Sequence, residues 1–203
     1  MALAFCPISS NLWPSGGRRA RGAVAYHTTK MRRIEKPKEG EYPPYAFIYV
    51  GLLPDDGLVL RHMGESVKTT TAFVLSLPEE KLTFRYAEGK WTVKEILAHV
   101  IDDERIYAYR ALRFARGDRT ELPGFEQDYY AVNSGANRRT VESLLGEFAA
   151  VRRSTLALFD SFEDEALLRS GVADGNRATV RALAYHIAGH ELRHVHIIKE
   201  RYL

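Results

Sequence analysis

Cysteine is almost missing from this 203-residue chain: the single one is Cys6, near the start. From Glu35 onward a disulfide, a cysteine nucleophile and a thiolate metal ligand are therefore all excluded. A chain so poor in cysteine is expected in a reducing cytoplasm. Long apolar runs are missing too. None approaches the roughly 18 residues that a membrane-spanning helix requires, so no membrane role is expected. There is no glycine-rich phosphate loop, no dinucleotide fingerprint, no G-x-S-x-G elbow, no repeat and no alternation of strands with helices. Acidic residues are missing from one region only. Residues 1–34 contain no Asp or Glu but six basic side chains: Arg18, Arg19, Arg21, Lys30, Arg32 and Arg33.

That gap decides how the charge is read. The whole chain carries a formal charge of +3 and a pI near 8.9, which taken alone suggests an acidic partner. Setting the first 34 residues aside leaves 23 basic residues against the 26 acidic ones, a mildly acidic remainder. Nucleic-acid binding by the domain is thus not expected. Three readings suit the leader 1–34: a targeting peptide, a disordered tail, or a start placed too early. Met31, which opens MRRIEKPKEGEYPPYAF, is the favoured true start. The domain proper is placed at residues 41–203.

What is present is helical periodicity. The segment EYPPYAFIYVGLLP, bounded by prolines, is expected to be extended and to lie over the domain. The first long helix is expected from about Asp55 to Leu77, stopped by Pro78. The second opens at Thr92, with Glu95 three residues on as in a capping box, and runs to Gly117. A third begins near Thr140, with Val141, Leu144, Leu145, Phe148, Val151 and Leu158 at helical spacing. The fourth runs from about Thr179 to the end. RYAEGKWT alone has some strand character. RTELPGFEQDYYAVNSGANRR is a long loop of the kind that often carries function. Four long helices with few strands make an all-α four-helix bundle.

Four of the seven histidines fall within eleven residues: His186, His190, His194 and His196. The first three recur every fourth residue and share a helix face, while His196 points elsewhere. All three cannot bind one ion. The backbones of His186 and His194 are about 12 Å apart along the helix, whereas metal–imidazole bonds are about 2.0–2.1 Å long. Either His186/His190 or His190/His194 can converge, with a third donor from another helix, and His99 is the natural one. His190-Glu191-Leu192-Arg193-His194 also matches the H-E-x-x-H pattern of zinc proteases. Only nine residues follow His194, too few to supply that family's third ligand, so the protease reading is rejected. Asp103, one turn after His99, is a candidate to orient a histidine, or else to pair with Arg110. Tyr107, Tyr129, Tyr130 and Arg110 are candidates for the mouth of a pocket. Glu191 is considered as a base, though it points about 100° from His190.

Two segments, KWTVKEILAHVIDDERIYAYR and ALAYHIAGHELRHVHIIKER, resemble the two signatures of the DinB-like superfamily. That superfamily includes bacillithiol transferases and mycothiol-dependent maleylpyruvate isomerases. The resemblance covers about residues 50–203. It implies an up-down four-helix bundle, here with a short extended N-terminal segment, and a divalent metal held by His99, His190 and His194. Asp103, Tyr107, His186 and Glu191 then become neighbours of the metal or parts of the pocket. The implied chemistry is activation of a low-molecular-weight thiol by zinc or nickel for S-transfer to a small-molecule substrate. The alternatives are a metal-dependent hydrolase and a stress-associated metal-binding module without turnover. Bundles of this kind often form homodimers, and that state is open here.

Overall fold

The computed structural model describes residues 31–203; Cys6 and the leader up to residue 30 lie outside the described residues. Eight helices and one hairpin follow. They are α1 (Phe47–Val50), α2 (Val59–Leu75), α3 (Glu79–Leu82), α4 (Val93–Ala115), α5 (Gln127–Asn133), α6 (Val141–Asp160), α7 (Asp164–Leu168) and α8 (Val180–Arg201). Strands β1 (Ser170–Ala173) and β2 (Asn176–Thr179) pair antiparallel between α7 and α8. Among the described residues no helix is long and apolar enough to cross a membrane.

The long helices start where side chains can satisfy their free N–H groups. The Thr92 hydroxyl accepts from the Glu95 backbone, and the Glu95 carboxylate accepts in return from the Thr92 N–H at 2.8 Å. Thr140 and Thr179 accept from Ser143 and Ala182 in the same manner. The first long helix begins later than expected, at Val59. The Asp56 carboxylate does not cap it, accepting instead from the Leu58 N–H and facing His62. The segment expected to be extended over Glu41–Pro54 is not: Pro44–Ala46 forms a 3-10 turn and Phe47–Val50 a helix. Proline at the first helical position, with its φ already set, favours that start. RYAEGKWT forms no strand.

The long helices α2, α4, α6 and α8 make a four-helix bundle. α2 packs on α6 and α8, and so does α4, giving the order α2–α6–α4–α8 around the bundle. The chain directions follow from the contacts. Thr92 bonds Asn137 at one end of α4 and α6, and Arg116 covers the Phe162 ring at the other, so these two helices run the same way. α8 runs against α4, since His194 meets His99 while His186 stacks on Tyr107. α2 also runs against α6. The sense is therefore up, down, down, up. The connection from α4 to α6 is long because it must carry the chain back along the whole bundle.

Two apolar clusters fill the ends. One gathers Val59, Leu60, Phe114, Phe159 and Leu183. The other gathers Val74, Val93, Leu144, Phe148 and Ile198. Between them lies a buried polar layer containing His99, Asp103, Glu104, Arg152, His186, His190 and Glu191. Burying so many polar groups is costly unless each finds a partner.

A candidate metal centre in the middle of the bundle

His99 of α4 and His190 and His194 of α8 converge in that layer. The His190 Nε2 is 3.0 Å from the His99 Nε2 and 3.1 Å from the His194 Nε2. The antiparallel crossing of α4 and α8 brings them together, and the four-residue interval stacks the α8 pair on one face. The other ring nitrogens of His99 and His194 are buried without a hydrogen-bond partner among the described residues.

The surroundings keep these imidazoles neutral. Burial lowers His190 to about 3, outweighing the opposing pull of Asp103. Burial likewise lowers His99, and pushes His194 well below the ordinary range. The Asp103 carboxylate lies 3.3 Å from the His190 Nδ1 and 3.4 Å from the His186 Nε2. Burial tends to raise Asp103, but His190, His186 and His99 around it win, and it stays well below the usual carboxylate range. With a carboxylate at Nδ1, the His190 proton belongs on that side and Nε2 presents its lone pair to the cluster.

The residues fit a divalent cation. Three nitrogens each about 2.0–2.1 Å from one ion stand about 2.9–3.4 Å apart in octahedral or tetrahedral arrangements. Two of the three pairs, at 3.0 and 3.1 Å, lie in that interval, and all three donor atoms lie within 4.8 Å of one another. Facing lone pairs at that range repel unless a proton or cation lies among them. The formal charge agrees as well: Asp103, Glu104 and Glu191 place three buried carboxyl groups in the layer against the one guanidinium of Arg152.

The remaining candidates divide. Asp103 sits against His190 and His186, not in an ion pair with Arg110. Tyr107 stacks flat on His186, with ring centres 3.7 Å apart. His186 is a buried neighbour, its ring 5.6 Å from that of His190. Glu191 is not brought to the cluster. Its carboxylate takes the Arg152 guanidinium at 2.9 Å, the Ser66 hydroxyl at 2.7 Å and the Thr70 hydroxyl at 2.6 Å. The 100° step from His190 turns it onto the neighbouring helices, so it is a structural partner and not a base.

Several contributors carry no plain sequence signal. Tyr49 of α1 lies edge-on to His186 and His190, closing the cluster on that side. Gly189 makes that closure possible, because a Cβ there would fall 2.2 Å from the Tyr49 carbonyl oxygen. Trp91 packs against His99 with ring centres 4.6 Å apart. On the side of His194 the bundle opens into a cleft of about 250 Å³, bordered by Tyr86, Lys90, Trp91, Asp128 and Tyr202.

Fold and site together describe a four-helix bundle whose three-histidine cluster could hold a metal ion and is open on one face. Residues 64–198 match the family model of the DinB superfamily, and the chain belongs to that superfamily. A protein of Oceanobacillus iheyensis named as a candidate metal-dependent hydrolase is 27% identical over 128 residues, covering 62% of this chain and 73% of that one. Among solved structures, YfiT from Bacillus subtilis superposes with a TM-score of 0.64 at 15% identity, covering 72% of this chain and 85% of that one. It is described as a probable metal-dependent hydrolase with an unusual four-helix bundle topology. At that identity the likeness concerns the fold.

Proposed function

We propose that this chain is a divalent-metal-dependent enzyme in which His99, His190 and His194 hold zinc or nickel and a low-molecular-weight thiol is activated for S-transfer. The observation that carries this reading is the convergence of three neutral imidazoles from two helices beside an open cleft. Three protein donors with one side free is the arrangement of catalytic sites, whereas closed four-ligand sites are structural. When bound, the ion supplies Lewis acidity, lowering the pKa of a thiol or a water beside it.

The chain's own residues do the rest. The Asp103 carboxylate, 3.3 Å from the His190 Nδ1, favours the proton on that nitrogen by its charge. Tyr49 and Tyr107 shut out water behind the cluster. Without any cysteine after Cys6, the domain offers the metal no competing thiolate, which suits a site that takes its thiol from outside. A water in place of the thiol gives a hydrolase, and the name carried by the Oceanobacillus iheyensis relative favours that second reading.

Metal content per chain, followed by conjugation assays with bacillithiol, mycothiol and glutathione, tests the proposal. Wild type is expected to hold one ion and to conjugate one of the three thiols; His190→Ala is expected to do neither. Stoichiometric metal with no thiol activity but turnover of ester or amide substrates would replace transfer by hydrolysis. A purified protein whose stability ignores both added metal and chelators would defeat both readings.

A further inference from the structure

Three arginines are buried among the described residues: Arg110, Arg152 and Arg181. Two of them face carboxylates. Arg152 forks onto Glu104 and reaches Glu191. Arg181 forks onto Glu41. Arg110 is 6% exposed and has no ion pair among the described residues. Its only hydrogen bond there runs from Nη2 to the Pro123 carbonyl at 3.1 Å, and its guanidinium covers the Tyr107 ring at 4.8 Å. A guanidinium carries five N–H donors. The other N–H groups of Arg110 are not among the fully buried side-chain atoms without a partner, so they face an opening on the protein surface and stay free to take a ligand.

The unpaired head borders an open cleft of about 300 Å³, whose walls include Ile106, Tyr109, Leu122, Phe125 and Tyr130. Those walls are mainly apolar and aromatic, with Phe125 and Tyr130 ring centres 5.4 Å apart. Ligand sites commonly combine such walls with one well-placed charge. The cleft is separate from the metal centre. Arg110 lies eleven residues after His99 on α4, about 16 Å along the helix.

We infer that this cleft is a second small-molecule site, one that takes a carboxylate on an aromatic or apolar body. Arg110 receives the carboxylate in its planar fork. Phe125, Tyr130 and Ile106 receive the body. A phosphate group would present the same charge, but the walls are mainly apolar, and the second arginine of the lining, Arg105, already faces Asp102 and Glu147, which leaves Arg110 as the unpaired cation and favours a monoanion.

Titration of the purified, metal-loaded chain with benzoate, and with benzamide as its neutral isostere, tests this through tyrosine fluorescence and NMR shifts. Benzoate is expected to saturate the signal and benzamide to leave it nearly unchanged. Arg110→Gln should weaken benzoate about 30-fold or more, while His190→Ala should leave its affinity within about twofold. Should Arg110→Gln lose the helical circular-dichroism signal of wild type, Phe125→Ala on the connecting loop takes its place, again with weakened benzoate expected. Absence of saturable benzoate binding, equal binding of benzamide, or binding that survives the cleft variants and disappears in His190→Ala would each overturn the inference. The last result would assign the carboxylate to the metal centre.

Discussion

The polar layer at mid-bundle contains two clusters that differ in one respect. Around Arg152 every charged atom has a partner: Glu104 at 2.8 and 2.9 Å, Glu191 at 2.9 Å, the Met63 carbonyl and the Ser66 hydroxyl at 2.8 Å. One α4–α8 contact away, the histidine cluster leaves Nδ1 of His99 and of His194, Oδ2 of Asp103 and Nε2 of His186 without hydrogen bonds. Both clusters are buried and both join helices distant in sequence. A saturated network ties the bundle together, whereas the histidine cluster turns its Nε2 atoms on one another at 3.0 and 3.1 Å, and those are the atoms that could hold a cation. The Arg152 cluster is the clamp and the histidine cluster is the site.

The sharpest break of that contrast is Arg152→Ala. It strands two buried carboxylates and should cost about 3–5 kcal/mol of stability, read as a lowered denaturation midpoint. A loss as small as that of a surface variant would show that the clamp is not one. The site should behave the opposite way. Saturating metal at about 100 times its dissociation constant should stabilise wild type by about 2.7 kcal/mol. His190→Ala should abolish that gain while leaving the metal-free chain folded. Asp103→Asn should come next, weakening metal by about 10- to 100-fold through a misdirected His190, as measured by competition with a chelator.

A further test separates the clusters by pH. His190 is held at about 3 in the folded, metal-free chain, far below the ordinary histidine value of 6.5. Between those limits the unfolded chain binds the extra proton, so stability rises with pH and falls on acidification. The slope from this one group is about 1.4 kcal/mol per pH unit within the window. His190→Ala should flatten it by that amount. An unchanged slope in that variant would mean that the buried imidazole is not what titrates.

These two clusters also mark how far the sequence could be read. His99, His190 and His194 were legible because a four-residue interval on one helix and a lone histidine in another are unusual patterns with few uses. The helix starts at Thr92, Thr140 and Thr179 were legible because capping is local chemistry. Arg152 was not. Arg152, next to Arg153 in the sequence, reads as a solvent-facing charge, and only the packing of α2 and α4 against α6 reveals its partners. Glu191 was considered for the site because its neighbours in sequence belong there, and the helix turned it to Arg152. The β1–β2 hairpin was missed although Asp174-Gly175 is a turn signal: Asp174 has φ 54° and Gly175 φ 69°, as such a turn demands. Nor does helix periodicity carry direction, so the parallel run of α4 and α6 had to come from contacts.

That parallel run has a consequence for how the protein can change. Because α4 and α6 point the same way, residues 116–140 must travel back outside the bundle. On that path Phe125 and Tyr130 border the Arg110 cleft, and Asp128 borders the cleft at His194. One exposed segment, free of the histidine donors, thus shapes both mouths. Substitutions in it would retune what enters each opening together, while the histidine donors stay fixed on α4 and α8.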